Sequence, residues 1–226
     1  MQTYVVRVWM PDRPGALGQV ASRIGAVRGD VVGIDILERG AGRAIDELVV
    51  ELPDDSWLDL LLTEIAAVDG VDVEDVRPAA ESLRDPHLAA LESAAMLVAA
   101  TTVEDLLELL VRHVHDDFST EWVAVVDLEE RQIREGEGPV PPAAWLEAFI
   151  EGSRSSATEV AHETGPDDIA WAPMPSSGLN LALGRGGRPL RARERRQLAA
   201  LARIADTRSI ELGNNGSRGH HPSNAV

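Results

Sequence analysis

The sequence predicts an α+β chain of two successive domains, and three observations carry that prediction. Residues up to about 78 alternate strand and helix periodicities in the order βαββαβ. Residues 87–212 open and close with long helical stretches that bracket several short strands. Between them, 79–86 mixes turn-formers and charge with no sustained period, so it reads as a linker.

In the first half, Tyr4, Val6, Val8 and Met10 alternate along a strand, and a turn follows at Pro11–Pro14. Leu17, Val20, Ala21, Ile24 and Val27 then recur at helical spacing. Asp12 stands where an N-cap belongs, and Gly29 where a helix ends. Val31–Glu38 alternates through Val32, Ile34 and Ile36, and Gly40–Gly42 turns the chain into a third strand, Ala44–Leu52. A second amphipathic helix spans Ser56–Val68, and Val71–Arg77 is the fourth strand. Right-handed crossovers make this a ferredoxin-like antiparallel sheet with both helices on one face. On the other face, Val5, Trp9 and Val49 are expected to be partly apolar.

In the second half, helical periodicity runs over His87–Asp117 with a break at Thr101–Thr102. There Thr102-Val103-Glu104-Asp105 reads as a capping box. Strands are expected at Trp122–Leu128, Arg131–Glu135, Thr158–Ala161, Ile169–Ala172 and Leu179–Leu183, and a helix at Pro142–Glu151. Gly184–Pro189 turns into a closing helix, Arg191–Leu212. The polar stretch 213–226 is expected to be a disordered tail.

Composition narrows the function classes. The 226 residues are 44% hydrophobic, enough to bury a core. The net charge of −17 argues against a nucleic-acid or anionic-membrane surface, both of which need clustered cations. Cysteine is absent and every Lys/Arg position is arginine, which removes thiol nucleophiles, thiolate metal sites, the Walker lysine and Schiff-base chemistry. No secretory signal or membrane-spanning run is visible, so a cytoplasmic location is expected. Neither a cofactor nor a metal is implied.

The loop Asp12-Arg13-Pro14-Gly15-Ala16-Leu17, set between the first strand and first helix of a βαββαβ order, resembles the ACT domain family over about residues 3–78. The resemblance implies an allosteric role in which paired domains bind an amino acid or similar metabolite between them. On that basis the candidate ligand contacts are Met10, Asp12, Arg13, Gly15, Ala16 and Leu17, with Asp30, Val31 and Val32 supplied by a partner copy. Gly15 lets a ligand approach the backbone. The Ala16 and Leu17 N–H groups begin a helix, where a carboxylate is stabilised. Asp12 is placed to hold an ammonium, and its plainer role is as a helix cap. In the family's serine-binding members a His lies two positions before the Asp12 site and an Asn opens the second strand. Here Met10 and Val31 stand at those places, which implies an apolar ligand side chain or a domain used only for dimerisation.

Residues 87–212 resemble a GAF domain through the opening helix, the Leu-rich helix with Leu106, Leu107, Leu109, Leu110 and Val114, the strand Trp122–Leu128, and the ending from Leu179 into the helix near Ala192. That resemblance implies a small-molecule sensor or a dimer scaffold, and no ligand residue is assigned in this half. His113 and His115 suit a helix C-terminus better than a metal. Glu129, Glu130, Glu135 and Glu137 read as a solvated hairpin rather than paired catalytic carboxylates. Trp145 and Phe149 read as core. The turn Arg185-Gly186-Gly187-Arg188 lacks the glycine spacing of an acyl-CoA phosphate loop. The expectation is a non-catalytic homodimer that binds a metabolite and regulates a protein partner. The alternatives are an acyltransferase-like enzyme using the second half, or a purely dimerising scaffold.

Overall fold

The computed structural model describes residues 1–79, 86–156 and 168–218. The chain divides into two compact units, Met1–Leu83 with Arg191–Arg193, and Arg84–Leu190 with Glu194–Val226. Each carries a four-stranded antiparallel sheet, and the described chain holds six α-helices, so the α+β expectation stands.

In the first unit the elements are β1 (Gln2–Pro11), α1 (Ala16–Ala26), β2 (Asp30–Gly40), β3 (Arg43–Leu52), α2 (Leu58–Ala66) and β4 (Asp72–Pro78). The sheet order is β2-β3-β1-β4. That is the order two right-handed βαβ crossovers produce when the strands between them pair antiparallel. Period-2 alternation sends Tyr4, Val6, Val8 and Met10 of β1, with Ala44, Leu48, Val50 and Leu52 of β3, into the core. There they meet Val20 and Ile24 of α1 and Leu61 and Ile65 of α2. Ala41 and Gly42, both with φ near that of a left-handed turn (50° and 75°), close the β2–β3 hairpin.

The other face departs from the apolar expectation. Arg7, on the same side as Val5 and Trp9, is fully buried. Its Nε and Nη2 donate to Glu47 Oε1 at 3.0 and 2.8 Å. Arg77 donates to the same oxygen at 3.0 Å. Burial pushes the Glu47 carboxyl up, but Arg77 and Arg7 outweigh it and hold it below the usual range.

Both ends of α1 differ from expectation. Gly15, with φ 87°, is the N-cap, and no side chain caps the helix. Asp12 lies three residues too early, and its N–H donates to Gly42 O at 2.9 Å. At the C-terminus Arg28, not Gly29, is the left-handed residue, with φ 62°. Arg28 N donates to Gly25 O and Gly29 N to Ile24 O, a Schellman pair. Glycine at 29 answers a different need: a Cβ there would lie 2.9 Å from Ile24 Cγ2 and 3.2 Å from Leu52 Cδ2.

In the second unit the elements are α3 (Pro86–Ala99), α4 (Val103–Phe118), β5 (Trp122–Asp127), β6 (Gln132–Glu137), α5 (Ala143–Ser156), β7 (Ile169–Met174), β8 (Leu179–Gly184) and α6 (Ala192–Arg218). The sheet order is β6-β5-β8-β7. Val123, Val125, Leu181 and Leu183 face Leu106, Leu110 and Val114 of α4 and Leu198, Leu201 and Ala202 of α6. Trp122, Ala124, Val126 and Ala182 face Leu146 and Ile150 of α5. Apolar layers on both faces explain why β5 reads as an apolar run up to Asp127 and why β8 is apolar but for the buried Asn180.

The break after α3 falls where expected. Thr102 caps α4 by accepting from Asp105 N at 3.1 Å. The return bond of the box goes to a neighbour: Asp105 Oδ2 accepts from Thr101 N at 2.9 Å, one residue before the cap. Helix α3 starts at Pro86, the last residue of the expected linker. Helix α6 continues to Arg218, so 213–218 is helix rather than tail. The strand expected at Thr158–Ala161 lies outside the described residues, as do 80–85 and 219–226.

Candidate functional site

The first-unit candidates converge only in part. Asp12, Arg13, Pro14 and Gly15 form an exposed loop from the end of β1 to the start of α1. Ala16 N donates to Arg13 O at 3.2 Å, so it is already engaged. Among the described residues no side chain caps this helix, which leaves the Leu17 end of the first turn to a ligand or solvent. Gly15 has nothing within 4 Å of where a Cβ would stand, so the space above it is open.

Met10 is a correction. It is 2% exposed and packed into the core beneath the loop, because β1 alternation turns it inward with Val8. It shapes the floor rather than touching a ligand. Asp30, Val31 and Val32, expected from a partner copy, are separated from the loop within one chain. They begin β2, after α1 has run 11 residues away from the loop. That run is about 16 Å at ~1.5 Å per residue. Asp30 and Val32 are exposed, while Val31 packs partly on the core.

Edge strand β2 has a further property. Val32, Ile34 and Ile36 are all exposed, at 47, 49 and 41%. The ladder to β3 shifts register between Val31 and Gly33 and again between Ile36 and Glu38. Only β3 pairs with β2, so its outer N–H and C=O row has no strand partner in this sheet.

One further residue, outside the loop and β2, stands out. Asp46 of β3 pairs with Val8 on one side and Ile36 on the other. Alternation with Ala44 and Leu48 puts it on the helix-facing side. It is 4% exposed, and its Oδ1 has no hydrogen-bond partner. Burial raises its carboxyl above the usual range, Arg39 opposes this, and Asp12 adds to it. An acid inside an otherwise apolar strand face was the available signal: in Ala44–Leu52 the inward positions run Ala, Asp, Leu, Val, Leu.

The second-unit candidates are structural in form. His115 Nδ1 lies 3.0 Å from Thr120 Oγ1, and His113 Nδ1 lies 3.4 Å from Ser93 Oγ, which donates to Asp117 at 2.7 Å. Among the described residues no group of three His, Asp or Glu side chains is arranged to hold a metal. Glu129 N and Glu130 N donate to Asp127 Oδ1, closing the β5–β6 turn. Trp145 stacks on Phe149 at 5.5 Å, with Trp145 43% exposed rather than core. Arg185 donates to the carbonyls of Arg188, Phe118 and Pro189 and pairs with Glu194 at 2.6 Å. Arg188 donates to Ser119 O at 2.9 Å. This turn is therefore clamped by its own arginines onto protein carbonyls.

No family model matches the chain, and no curated protein matches it. Among solved structures it is similar to an uncharacterized protein from Thermotoga maritima, at 21% identity over 35% of this chain and 98% of that one, with a TM-score of 0.29. It is also similar to the ACT domain from the GTP pyrophosphokinase of Chlorobium tepidum, at 18% identity over 34% and 97%, with a TM-score of 0.29. The chromophore-binding domain of a bacteriophytochrome from R. palustris aligns at 8% identity over 95% of each chain, with a TM-score of 0.41. Scores this low carry no argument; the fold rests on the strand orders. Among the described residues no helix is long and apolar enough to cross a membrane.

Proposed function

We propose that this chain is a non-catalytic regulatory protein that binds a small amino acid between two copies of its first domain. The observation that carries the reading is the exposed apolar row Val32, Ile34 and Ile36 on edge strand β2. A second copy pairing antiparallel along β2 about a two-fold near Gly33–Ile34 covers that row and closes the edge. The same operation sets the other copy's Asp30–Val32 opposite Asp35–Leu37 of this copy's β2, on the way toward the Asp12–Leu17 loop. The two halves of the candidate site, separated in one chain, then approach each other. The open first turn of α1 supplies donors for a carboxylate. The resemblance of the loop to ACT domains points the same way.

The second domain supports a paired assembly. Leu88, Leu91 and Val98 of α3 are exposed at a spacing that makes one apolar stripe on a helix. A stripe of this kind suits a second helix, and we assign the GAF-like half a dimerising role beside any sensing one.

The test is calorimetric titration of the full chain with each of the twenty amino acids, then with Asp12→Ala and Gly15→Asn variants. Asn tolerates φ 87° while filling the space over the helix start, which Val would do only with backbone strain. Gly15→Asn should weaken binding at least about tenfold by blocking close approach. Unchanged affinity in that variant removes the loop from the site. Acyl-CoA substrates should give no release of free CoA above background, and steady release would favour the acyltransferase reading.

A further inference from the structure

We propose that Asp46 is the ammonium-recognising residue of this site, so that the ligand is an α-amino acid and not its 2-oxo acid. The inference rests on the amino-acid reading above and deepens it. A carboxylate more than nine-tenths buried, with one oxygen unbonded, is costly to keep unless something pairs with it. Among the described residues nothing hydrogen-bonds that oxygen. Arg39 is the nearest cation by its electrostatic effect, yet it is exposed and no ion pair joins the two.

Position says what the missing partner is. Asp46 stands two residues along β3 from Ala44, and Ala44 pairs with Met10 at the base of the β1–α1 loop. On its other side it pairs with Ile36, in the exposed apolar row of β2. It therefore lies on the helix-facing side of the sheet, between β1, which leads into the loop, and edge strand β2, where a second copy would pair. The Asp12 charge adds to the upward push on its carboxyl. Asp12 beside the buried orphan oxygen of Asp46 makes a negative pole, and the uncapped helix start makes a positive one. An α-amino acid matches both poles: its carboxylate takes the open first turn of α1, and its ammonium donates to Asp46 and Asp12. A 2-oxo acid has no donor for that pole and leaves two carboxylates facing each other uncompensated.

The experiment uses the full chain and calorimetric titration. The twenty amino acids are screened, and the tightest is compared with its 2-oxo acid and its decarboxylated amine. Wild type should favour the amino acid over the 2-oxo acid by about tenfold or more, the scale of a lost charge-assisted hydrogen bond. Asp46→Asn should weaken the amino acid by a similar factor while changing the 2-oxo acid by less than about threefold, collapsing the preference. Wild type binding the 2-oxo acid as tightly as the amino acid overturns the proposal without any variant. Asp46→Asn that folds and keeps the preference overturns it too, and leaves the site itself standing. If no amino acid binds wild type at millimolar concentration, the site reading and this inference fall together.

Discussion

Asp206 of α6 offers the most direct check on how the second domain is held. Its side chain is buried, and its two oxygens close the turn between β7 and β8. Oδ2 accepts from Ser176 N at 3.0 Å, and Oδ1 from Ser177 N at 2.8 Å and Ser177 Oγ at 2.9 Å. Burial alone would raise this carboxyl, but the donors from Ser176 and Ser177 outweigh it and lower it. Asp206→Asn keeps the shape and turns one acceptor into a donor that faces an N–H. One charge-assisted bond is lost, the others weaken, and a turn amide is left unpaired. At about 1.5–3 kcal/mol for a hydrogen bond to a charged group, the loss should be about 2 kcal/mol. The sign with pH follows from the lowered folded value. The stabilisation is fully present above the unfolded carboxyl value of about 3.9 and is lost as pH falls through the folded value. Urea unfolding followed by tryptophan fluorescence, at neutral pH and near pH 3, should show a gap between wild type and Asp206→Asn that closes on acidification. Equal stabilities at neutral pH, or a gap that does not narrow, would mean that the Asp206 carboxylate does not hold this turn.

Three further substitutions probe the first domain. Ile34→Arg places a charge in the exposed β2 row and should raise the dimer dissociation constant at least about tenfold, read by light scattering across a dilution series; an unchanged dimer would mean β2 is not the interface. Gly29→Ala should destabilise by about 1–2 kcal/mol in thermal or urea unfolding, because its Cβ meets Ile24 Cγ2 at 2.9 Å. Its neighbour goes the other way: Arg28→Gly relieves a left-handed φ of 62° and should be neutral or stabilising by up to about 1 kcal/mol, offset by losing its stacking over Trp57 at 5.6 Å.

Periodicity made the strands and helices readable because each has one face or two on a core: Tyr4, Val6, Val8 and Met10 alternate because α1 and α2 cover them. Helix ends were less readable. Asp12 and Gly29 have the right chemistry for caps, yet the cap and the left-handed residue are Gly15 and Arg28. Local residue type sets what a position tolerates, and the turn geometry decides which position is used. The buried Arg7 escaped notice for a related reason. Only the sheet order brings Glu47 of β3 beside it, and no spacing along the chain records that neighbour. In the candidate site, the spacing of strand and helix places the loop Asp12–Leu17 between β1 and α1, whereas Met10 lies in the core because strand parity turns it inward. Asp46 was missed since an acid in a strand usually marks the solvent side, and here β3 is covered on that face.

Where a ligand and a second copy complete one site, each must tighten the other. Sedimentation velocity of the full chain over a concentration series, with and without the tightest-binding amino acid at saturation, measures this linkage directly. The expected result is a dimer whose dissociation constant falls by about fivefold or more with the amino acid and is unmoved by its 2-oxo acid. A dimer constant indifferent to the amino acid, or a chain that stays monomeric with it bound, would contradict it.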